Sequence, residues 1–289
     1  MNVMNIKPSS HGVLFLVATP IGNKADITLR ALDVLNKADL IAAEDTRHSK
    51  QLLQHYQIKT PLISLHEFNE KQRIPLILEY LLNGKTVALV SDAGTPLISD
   101  PGYALVKAAS NSGLTVSPIP GACAAIAALC ASGLPTNEFM FAGFLPTKPN
   151  ARRQRLASLK NVGRPIIFYE SPHRIVVCTH DIRDMLGVDR EIVLAKEMTK
   201  TFETFFRGNA QQACDWLEQD TNHQKGEFVI LIKGADVIQS SPVSAEALRI
   251  LGLLEEALPS SQAIELTAKI TGEKRNALKA AGFKRMAKK

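Results

Sequence analysis

Short apolar runs alternate with helical patterns through the first half of the chain. Strands are predicted in GVLFLVATP, DLIAAED, PLISL, KTVALVSDAG and LTVSPIPG, each of strand length and most ending in turn residues. Helices are predicted in DITLRALDVLNKA, SKQLLQHY, KQRIPLILEYLLNG, GYALVKAASNSG and ACAAIAALCASG, with Pro75 in the first turn of its helix or at a break. Strands that alternate with helices predict an α/β domain with a mostly parallel sheet.

The pattern changes near residue 145. The segment GFLPTKPNARRQR has two prolines and a basic run, which predicts an interdomain linker. A second α/β unit follows, with strands in RPIIFYES, REIVLAKEM and GEFVILIKG, an extended TKTFETFFRGN, and helices in HRIVVCTHDIRDML and AQQACDWLEQ. From about Ser240 only helical patterns remain. The sequence therefore predicts two α/β domains, residues 1–145 and 146–239, and a small helical tail, residues 240–289.

The net charge of +6 is concentrated at the C-terminal end. From Glu273 onward, seven basic residues face one acid, so this tail carries a charge equal to that of the whole chain. A second cluster, KPNARRQRLASLK at 148–160, has five basic residues and no acid. Basic patches on a neutral body indicate either a polyanionic partner such as a nucleic acid or a solvated surface, and composition leaves both open.

Other features narrow the class of protein. The longest apolar stretch, around CAAIAALCASGL, is far shorter than the roughly 20 residues of a membrane-spanning helix, so no membrane association is expected. The cysteines form no C-x-x-C pair and no histidine has zinc-finger spacing, so no metal is expected. We expect reduced, mostly buried thiols in a cytoplasmic protein, at Cys123, Cys130, Cys178 and Cys214.

Three turn motifs follow predicted strands of the first half, where open α/β sheets bind ligands. They are VATPIGN (17–23), SDAGTPLISDPG (91–102) and SPIPGACAA (117–125). None is a phosphate loop, and the second motif puts Asp92 and Asp100 where a phosphate would need cations or free amides. A ligand with a positive or neutral face fits better. The ordinary alternative is turn and helix capping, which we favour for Asp100 and leave open for Asp92.

Several long motifs in chain order carry a family resemblance: LVATPIGNKADITLRALDVL, AAEDTRHSKQLL, ALVSDAGTPLISDPGYALV, PIPGACAAIAALCASGLP, FAGFLP, FYESPHRI and AKEMTKTFET. They resemble the tetrapyrrole methylase superfamily and, within it, the branch of small-subunit ribosomal RNA (cytidine-2′-O)-methyltransferases, over nearly the whole chain. The resemblance implies S-adenosylmethionine as methyl donor, a donor cleft between two α/β domains, and a homodimer. It implies a cytidine ribose in the decoding centre of small-subunit ribosomal RNA, free or in the 30S subunit, as acceptor.

One departure from the superfamily pattern separates its branches. Members that act on tetrapyrroles carry a G-x-G-P-G first turn, whereas this chain has ATPIG, which favours the RNA-modifying branch. The resemblance maps the donor site onto the three turn motifs and one later strand end, at Pro20, Asp92, Ala93, Gly94, Gly121, Ala122, Cys123 and Tyr169.

A ribose hydroxyl is a poor nucleophile, so its methylation is expected to use a positioned base. The candidates at predicted strand ends are Asp45, Glu170, Lys196 and Glu197. Each has an ordinary alternative: Asp45 as the cap of the next helix, Glu170 as the partner of Arg174 four residues on, and Lys196 with Glu197 as a surface ion pair.

The expected phosphate contacts lie in the two basic clusters and beside the candidate bases, at Arg47, Arg152, Arg153, Arg155, His173, Arg174, Lys274 and Arg275. The tail reads as a helix-turn-helix, with a Ser cap before SQAIELTAKITG, a turn at Gly272, and a second basic helix in EKRNALKAAGFKR. We expect the tail either to bind RNA or to pack on a dimer partner. The rival functions are a precorrin-like tetrapyrrole C-methyltransferase and a non-catalytic RNA-binding assembly factor.

Overall fold

The computed structural model describes residues 12–235 and 243–279. These residues belong to two compact units that divide between Gly234 and Ala235. The predicted boundary between residues 239 and 240 falls outside the described residues. So does the end of the last predicted tail helix, with the basic residues Lys284, Arg285, Lys288 and Lys289.

The first five strands form one parallel sheet, sheet 1, in the order β3-β2-β4-β1-β5. The strands are β1 (Val13–Val17), β2 (Leu40–Ala43), β3 (Leu62–Ser64), β4 (Val87–Val90) and β5 (Thr115–Ile119). The helices that follow them are α1 (Leu29–Lys37), α2 (Thr46–His55), α3 (Glu70–Leu82), α4 (Tyr103–Asn111) and α5 (Ala124–Ser132). Because all five strands run the same way, their carboxyl ends meet at one edge of the sheet.

Helices cover both faces of sheet 1, which explains why its central strands read as continuous apolar runs. On one face, α1 buries Ala31, Val34 and Leu35 against β1 and β2, and Thr28 Oγ1 caps this helix by accepting from Ala31 N at 3.1 Å. On the other face, α3 buries Ile77 and Leu81, and α4 buries Leu105 and Ala109. The α/β prediction for this half is confirmed.

Helix α3 runs through Pro75 without ending. Pro75 is the sixth residue of Glu70–Leu82, so the prediction of a first-turn proline or a break was wrong. Proline here lacks the N–H that would bond the carbonyl four residues earlier, which costs stability. Burial of Ile77 and Leu81 in the next turns stabilises the continuous helix, because packing contributes more to a protein helix than local propensity does.

The remaining strands form a mixed sheet, sheet 2, in the order β6-β7-β10-β8-β9. They are β6 (Met140–Phe144), β7 (Ile166–Glu170), β8 (Glu191–Lys196), β9 (Thr204–Asn209) and β10 (Phe228–Ile232). Only β6 and β7 pair in parallel; β10 runs antiparallel to β7 and β8, and β8 antiparallel to β9. Helices α6 (Pro149–Leu159), α7 (Ile175–Leu186) and α8 (Ala210–Gln219) cover one face of this sheet.

The segment predicted as a linker is ordered structure, so that prediction was wrong. Its first residues end β6, and its basic run forms α6, which begins with Pro149 and buries Leu156 and Leu159. Strand β6 precedes the predicted domain boundary at residue 145 yet pairs with β7 of sheet 2. Helix α5 also packs its small residues on sheet 2, with Ala128 against the buried face that holds Val229. The density of Arg and Lys concealed the apolar stripe of α6.

The second unit consists of helices in its described part: α9 (Ala245–Glu255), α10 (Ser260–Thr271) and helical residues 275–279. Their shared core contains Val243, Ala247, Leu251, Ala263 and Leu278. Ser260 is the first residue of α10 rather than its cap, which is Pro259, and Gly272 ends the helix at φ +74°. Among the described helices, none has the length and apolar character needed to cross a bilayer.

Candidate active site

A cavity of about 410 Å³ lies between the carboxyl edge of sheet 1 and sheet 2. One side, the sheet-1 wall, comprises Glu44 and lining residues of the loop 92–100 that follows β4. The other side, the sheet-2 wall, comprises residues 169–172, Met198, Lys200 and residues 227–229. The volume lies within the range of roughly 300–1,000 Å³ that is usual for small-molecule sites.

The sheet-1 wall carries three carboxylates: Glu44, Asp92 and Asp100. Within the described part of the chain, none of the three forms an ion pair with Lys or Arg. Burial, followed by the charges of Asp100 and Asp92, raises the pKa of Glu44. Burial and the charge of Asp92 likewise raise the pKa of Asp100, although Ser91 hydrogen-bonds its carboxyl. The wall is therefore a region of negative charge without a cation from the described part of the chain.

Backbone contacts tie the three turn motifs together beneath this wall. Thr19 N donates to Gly94 O at 2.9 Å and Gly94 N donates to Thr19 O at 3.0 Å, with Gly94 at φ +81°, a conformation that favours glycine. Thr95 Oγ1 donates to Ala122 O at 3.0 Å, which joins the second motif to the third. Asp92 Oδ1 accepts from Asp45 N at 3.0 Å. The three motifs, which are far apart in the sequence, therefore form one continuous surface in the folded chain.

Gly121 allows the third motif to approach the first. A Cβ at this position would lie 2.9 Å from Ala18 Cβ, closer than two carbon atoms pack. The glycine thus serves the close contact of two turns, and we expect any larger residue there to shift the sheet-1 wall.

The carboxylates of the sheet-2 side are paired. Glu170 Oε2 accepts from Arg174 Nη2 at 3.2 Å and from Cys178 Sγ at 2.9 Å, and Oε1 accepts from Ser171 N at 2.8 Å; its side chain is 0% exposed. Burial, together with the hydrogen bond to Glu170, raises the pKa of Cys178 to about 12, so the thiol stays a donor at neutral pH. The Glu170 carboxylate is thus fixed beneath helix α7.

Lys200 neutralises the other carboxylates near this wall. Its Nζ lies 2.9 Å from Glu197 Oε1 and 3.0 Å from Glu227 Oε2. Burial opposes ionisation of Glu197, but hydrogen bonds from Lys200 and from Glu227 N outweigh it and lower the pKa of Glu197. Glu197 and Thr199 have positive φ values of 51° and 64°, so this loop has a defined and unusual backbone.

Tyr169 joins the sheet-2 wall to helix α5. Its hydroxyl oxygen accepts from Ala125 N at 3.1 Å, and its ring meets Phe141 and Phe144 edge-on at 5.0 and 5.9 Å. Burial and the neighbouring Cys123 raise the pKa of Tyr169, so the phenol is neutral and offers the cavity an apolar surface.

The structure brings half of the predicted donor-site residues to the cavity. Asp92, Ala93, Gly94 and Tyr169 line it directly. The other four predicted residues are not among the lining residues, although the neighbours Ile21 and Ala124 are; the four are Pro20, Gly121, Ala122 and Cys123.

The four predicted bases occupy different positions. Asp45 caps α2, accepting from Arg47 N at 2.7 Å, and its bonds to Arg47 lower the pKa of Asp45. Glu170 lines the cavity with its carboxylate bonded as described. Lys196 is buried at the end of β8, and Glu197 pairs with Lys200 rather than with Lys196 as the ordinary alternative proposed.

The predicted phosphate contacts divide by exposure. Arg152 is only 6% exposed and its Nε donates to Asp181 Oδ2 at 2.6 Å, so its burial contradicts the prediction that it contacts RNA. Arg174 points inward too, with Nη2 donating to Leu145 O at 2.6 Å, which likewise argues against a phosphate contact. The other six predicted residues are exposed: Arg47, Arg153, Arg155, His173, Lys274 and Arg275.

Sequence reasoning missed Glu44 and Lys200 as cavity residues and assigned Asp100 to helix initiation. Helix α4 does begin directly after Asp100-Pro101-Gly102, as predicted, and its cap is Gly102, whose N donates to Glu70 Oε1 at 2.9 Å. The prediction did not include that Asp100 also lines the cavity. A signal for Glu44 existed, because it precedes Asp45 at the end of a buried strand. Within the described residues, no group of three or more His, Cys, Asp or Glu side chains is arranged to hold a metal ion.

Solved structures similar to this chain share its fold at low identity. A cobalt precorrin-4 methyltransferase of cobalamin biosynthesis matches with a TM-score of 0.59 and 17% identity, over 79% of this chain and 98% of that one. Uroporphyrin-III C-methyltransferase from Thermus thermophilus, complexed with S-adenyl homocysteine, matches with a TM-score of 0.53 and 17% identity, over 78% and 99%.

Sequence comparison places the chain more narrowly. Residues 13–214 match the model of tetrapyrrole (corrin/porphyrin) methylases, and residues 241–281 match the RsmI C-terminal HTH domain. Ribosomal RNA small subunit methyltransferase I of Pasteurella multocida is 50% identical over 92% of this chain and 95% of its own length. Its counterpart in Pseudomonas aeruginosa is 49% identical over 96% and 99%. The chain therefore belongs to the tetrapyrrole methylase family and, within it, to the ribosomal RNA small subunit methyltransferase I family.

Proposed function

We propose that this protein transfers the methyl group of S-adenosylmethionine to the 2′-hydroxyl of a cytidine ribose in the decoding centre of small-subunit ribosomal RNA. The relatives named as ribosomal RNA small subunit methyltransferase I support the acceptor class. The observation that carries the proposal is the sheet-1 wall, where three carboxylates without an ion pair in the described chain face a cavity of suitable size.

The cavity fits this donor chemically. S-adenosylmethionine supplies an activated methyl group on a positively charged sulfonium, and it also carries an ammonium group. Glu44, Asp92 and Asp100 offer negative charge to such groups, and Lys200, the cation among the lining residues, is already paired with Glu197 and Glu227. Tyr169 and Phe144 supply aromatic surface for a ring system. The donor-site residues assigned from the resemblance are part of this proposal.

Asp100 fits the role of the base better than the four residues chosen from the sequence. Glu170 has its carboxylate occupied by three donors, Glu197 by two, and Asp45 by the start of α2. Lys196 is buried and is not among the cavity-lining residues. Asp100 lines the cavity, and its raised pKa makes it a stronger base than an exposed aspartate. It would receive the proton of the ribose hydroxyl as the methyl–oxygen bond forms and the sulfur–methyl bond of the donor breaks, which would leave neutral S-adenosylhomocysteine.

Orientation of the acceptor accounts for much of the expected rate, because the hydroxyl oxygen must lie in line with the methyl group. A ribose in an RNA loop can be brought there by contacts to its phosphates, for which the exposed Arg47, Arg153, Arg155 and His173 are candidates. Lys274 and Arg275 of the second unit would add contacts of the same kind. Association as a homodimer stays a prediction.

The deciding experiment is transfer of labelled methyl groups to small subunits from a strain that lacks this protein, followed by mapping of the modified nucleotide. We expect a single labelled cytidine ribose. Asp100→Asn should lower kcat by about a hundredfold at saturating donor, whereas Asp215→Asn, an exposed carboxylate of α8, should not. Transfer to a porphyrinogen instead of RNA would favour the tetrapyrrole alternative, and donor binding without any transfer would favour the assembly factor.

A further inference from the structure

Two aromatic rings near the carboxyl edge of sheet 1 are unusually exposed. Phe68, in the loop after β3, is 91% exposed, and Tyr103, the first residue of α4, is 68% exposed. Burial of such a ring removes a large apolar area from water. Two rings that stay exposed on the folded chain are therefore a candidate binding surface. We call this pair the aromatic rim.

The chain segments that carry the two rings are joined by a hydrogen bond. Glu70 Oε1 accepts from Gly102 N at 2.9 Å, and these residues lie two positions after Phe68 and one before Tyr103. Both loops leave the carboxyl ends of parallel strands, β3 and β4, and therefore share the edge that carries the cavity. Asp100, which lines the cavity, precedes Tyr103 by three residues. The aromatic rim thus borders the proposed active site.

The loop beneath Phe68 is held in place although its ring is exposed. Asn69 Oδ1 accepts from His66 N at 2.9 Å, and Asn69 Nδ2 donates to Ser64 O at 3.2 Å. The His66 ring lies 6.1 Å from the ring of Phe68, at an angle of 60°. A ring on an ordered loop loses little conformational entropy when it is covered, which suits a binding surface.

Cations flank the aromatic rim. Lys107 Nζ lies 5.9 Å from the centroid of the Tyr103 ring, and Lys71 is exposed in the first turn of α3. Neither lysine forms an ion pair within the described part of the chain. Glu67 is an exposed acid of the same loop, so the rim is not uniformly basic. Aromatic faces with lysines beside them match the two parts of a nucleotide, a flat base and a phosphate.

We propose that Phe68 and Tyr103 form a stacking surface for an unpaired RNA base next to the target nucleotide. This inference rests on the proposed function and deepens it. Proteins that recognise single-stranded RNA stack its bases on exposed aromatic side chains, and a ribose can enter a cavity only if its nucleotide leaves the helical stack. The aromatic rim would hold the neighbouring base in that open arrangement, with Lys71 and Lys107 near its phosphates.

The test compares Phe68→Ala and Tyr103→Ala with Leu82→Ala, which removes an exposed apolar side chain at the far end of α3, roughly 18 Å along the helix. We expect each aromatic substitution to raise KM for small subunits by about tenfold, with kcat and donor affinity unchanged. Phe68→Trp should restore KM because it restores the stacking face. Leu82→Ala should behave as the wild-type protein.

Three outcomes would overturn the inference. The first is an unchanged KM in both aromatic variants. The second is a fall in kcat alone. The third is a loss of self-association in sedimentation, which would assign the rim to contact between two copies of this chain. Failure of the wild-type protein to methylate RNA would instead contradict the proposed function, so the two failures are distinguishable.

Discussion

The two sides of the cavity carry the same residue types in opposite electrostatic states. On the sheet-1 wall, Glu44, Asp92 and Asp100 have no ion pair in the described chain, and the pKa values of Glu44 and Asp100 are raised. On the sheet-2 side, Glu170 has Arg174, while Glu197 and Glu227 share Lys200. The first set is thus available to a cationic ligand, whereas the second is committed to the fold.

This difference shows why an acidic residue at a strand end is insufficient evidence for chemistry. The base candidates chosen from the sequence included Glu170 and Glu197, whose carboxylates are held by donors of the protein itself. A buried carboxylate that is fully paired stabilises structure, and one that lacks a partner costs stability unless a ligand supplies the charge. The two sides of the cavity therefore differ in whether their carboxylates have an ion-pair partner, and not in residue type.

The largest expected effect comes from breaking the paired side. Glu170→Ala leaves the Arg174 guanidinium without its carboxylate, and Arg174 Nε already lacks a hydrogen-bond partner among the described residues. We expect the free energy of unfolding to fall by about 3 kcal/mol. Urea denaturation at neutral pH measures it.

The matched control removes a carboxyl group from the opposite wall. Glu44→Ala should leave the free energy of unfolding unchanged or raise it, because Glu44 is held among like charges. Equal losses in Glu170→Ala and Glu44→Ala would show that the two sides do not differ.

A smaller effect concerns pH, where the two sides should respond with opposite signs. The folded-state pKa of Asp100 is raised, so the folded state loses stability as pH rises through that pKa, and Asp100→Asn should gain relative to wild type. The folded-state pKa of Glu197 is lowered, so its contribution is present at neutral pH and disappears as pH falls, and Glu197→Gln should lose relative to wild type.

Urea unfolding of the wild type and both variants between about pH 4 and pH 8 measures these differences. As pH rises, the free energy of unfolding of Asp100→Asn should increase relative to that of the wild type. The free energy of unfolding of Glu197→Gln should decrease relative to that of the wild type over the same range. Parallel curves for the two variants would contradict the assignment of raised and lowered pKa values.

Much of the fold could be predicted from the sequence because its signals are local. The alternation of buried strands and amphipathic helices gave sheet 1, and the turn residues after β1, β4 and β5 indicated its ligand edge. The mixed order of sheet 2 could not be read in this way, because β10 inserts between β7 and β8 through long-range pairing. Helix α6 was missed because Arg152, Arg153 and Arg155 obscure the stripe formed by Leu156 and Leu159.

The position of the candidate site could also be predicted in part, because the turn motifs that form it are local sequence signals. Asp92, Ala93, Gly94 and Tyr169 lie at motif positions and line the cavity. Whether a charged group is free depends on what the fold places beside it: Arg152 meets Asp181, 29 residues away, and Lys200 meets Glu227. No local sequence pattern encodes those pairs, so only the structure shows which charged groups have an ion-pair partner.

The most direct test of the central claim is calorimetric binding of S-adenosylmethionine and of S-adenosylhomocysteine, which lacks the positive charge on sulfur. The wild-type protein is compared with Glu44→Gln, Asp92→Asn and Asp100→Asn, and with Glu197→Gln from the paired side. At least one sheet-1 variant should lose about tenfold in affinity for the charged ligand while keeping its affinity for the neutral one. The Glu197→Gln variant should keep the wild-type ratio. Equal changes for both ligands in all three sheet-1 variants would contradict a sheet-1 wall that binds the sulfonium.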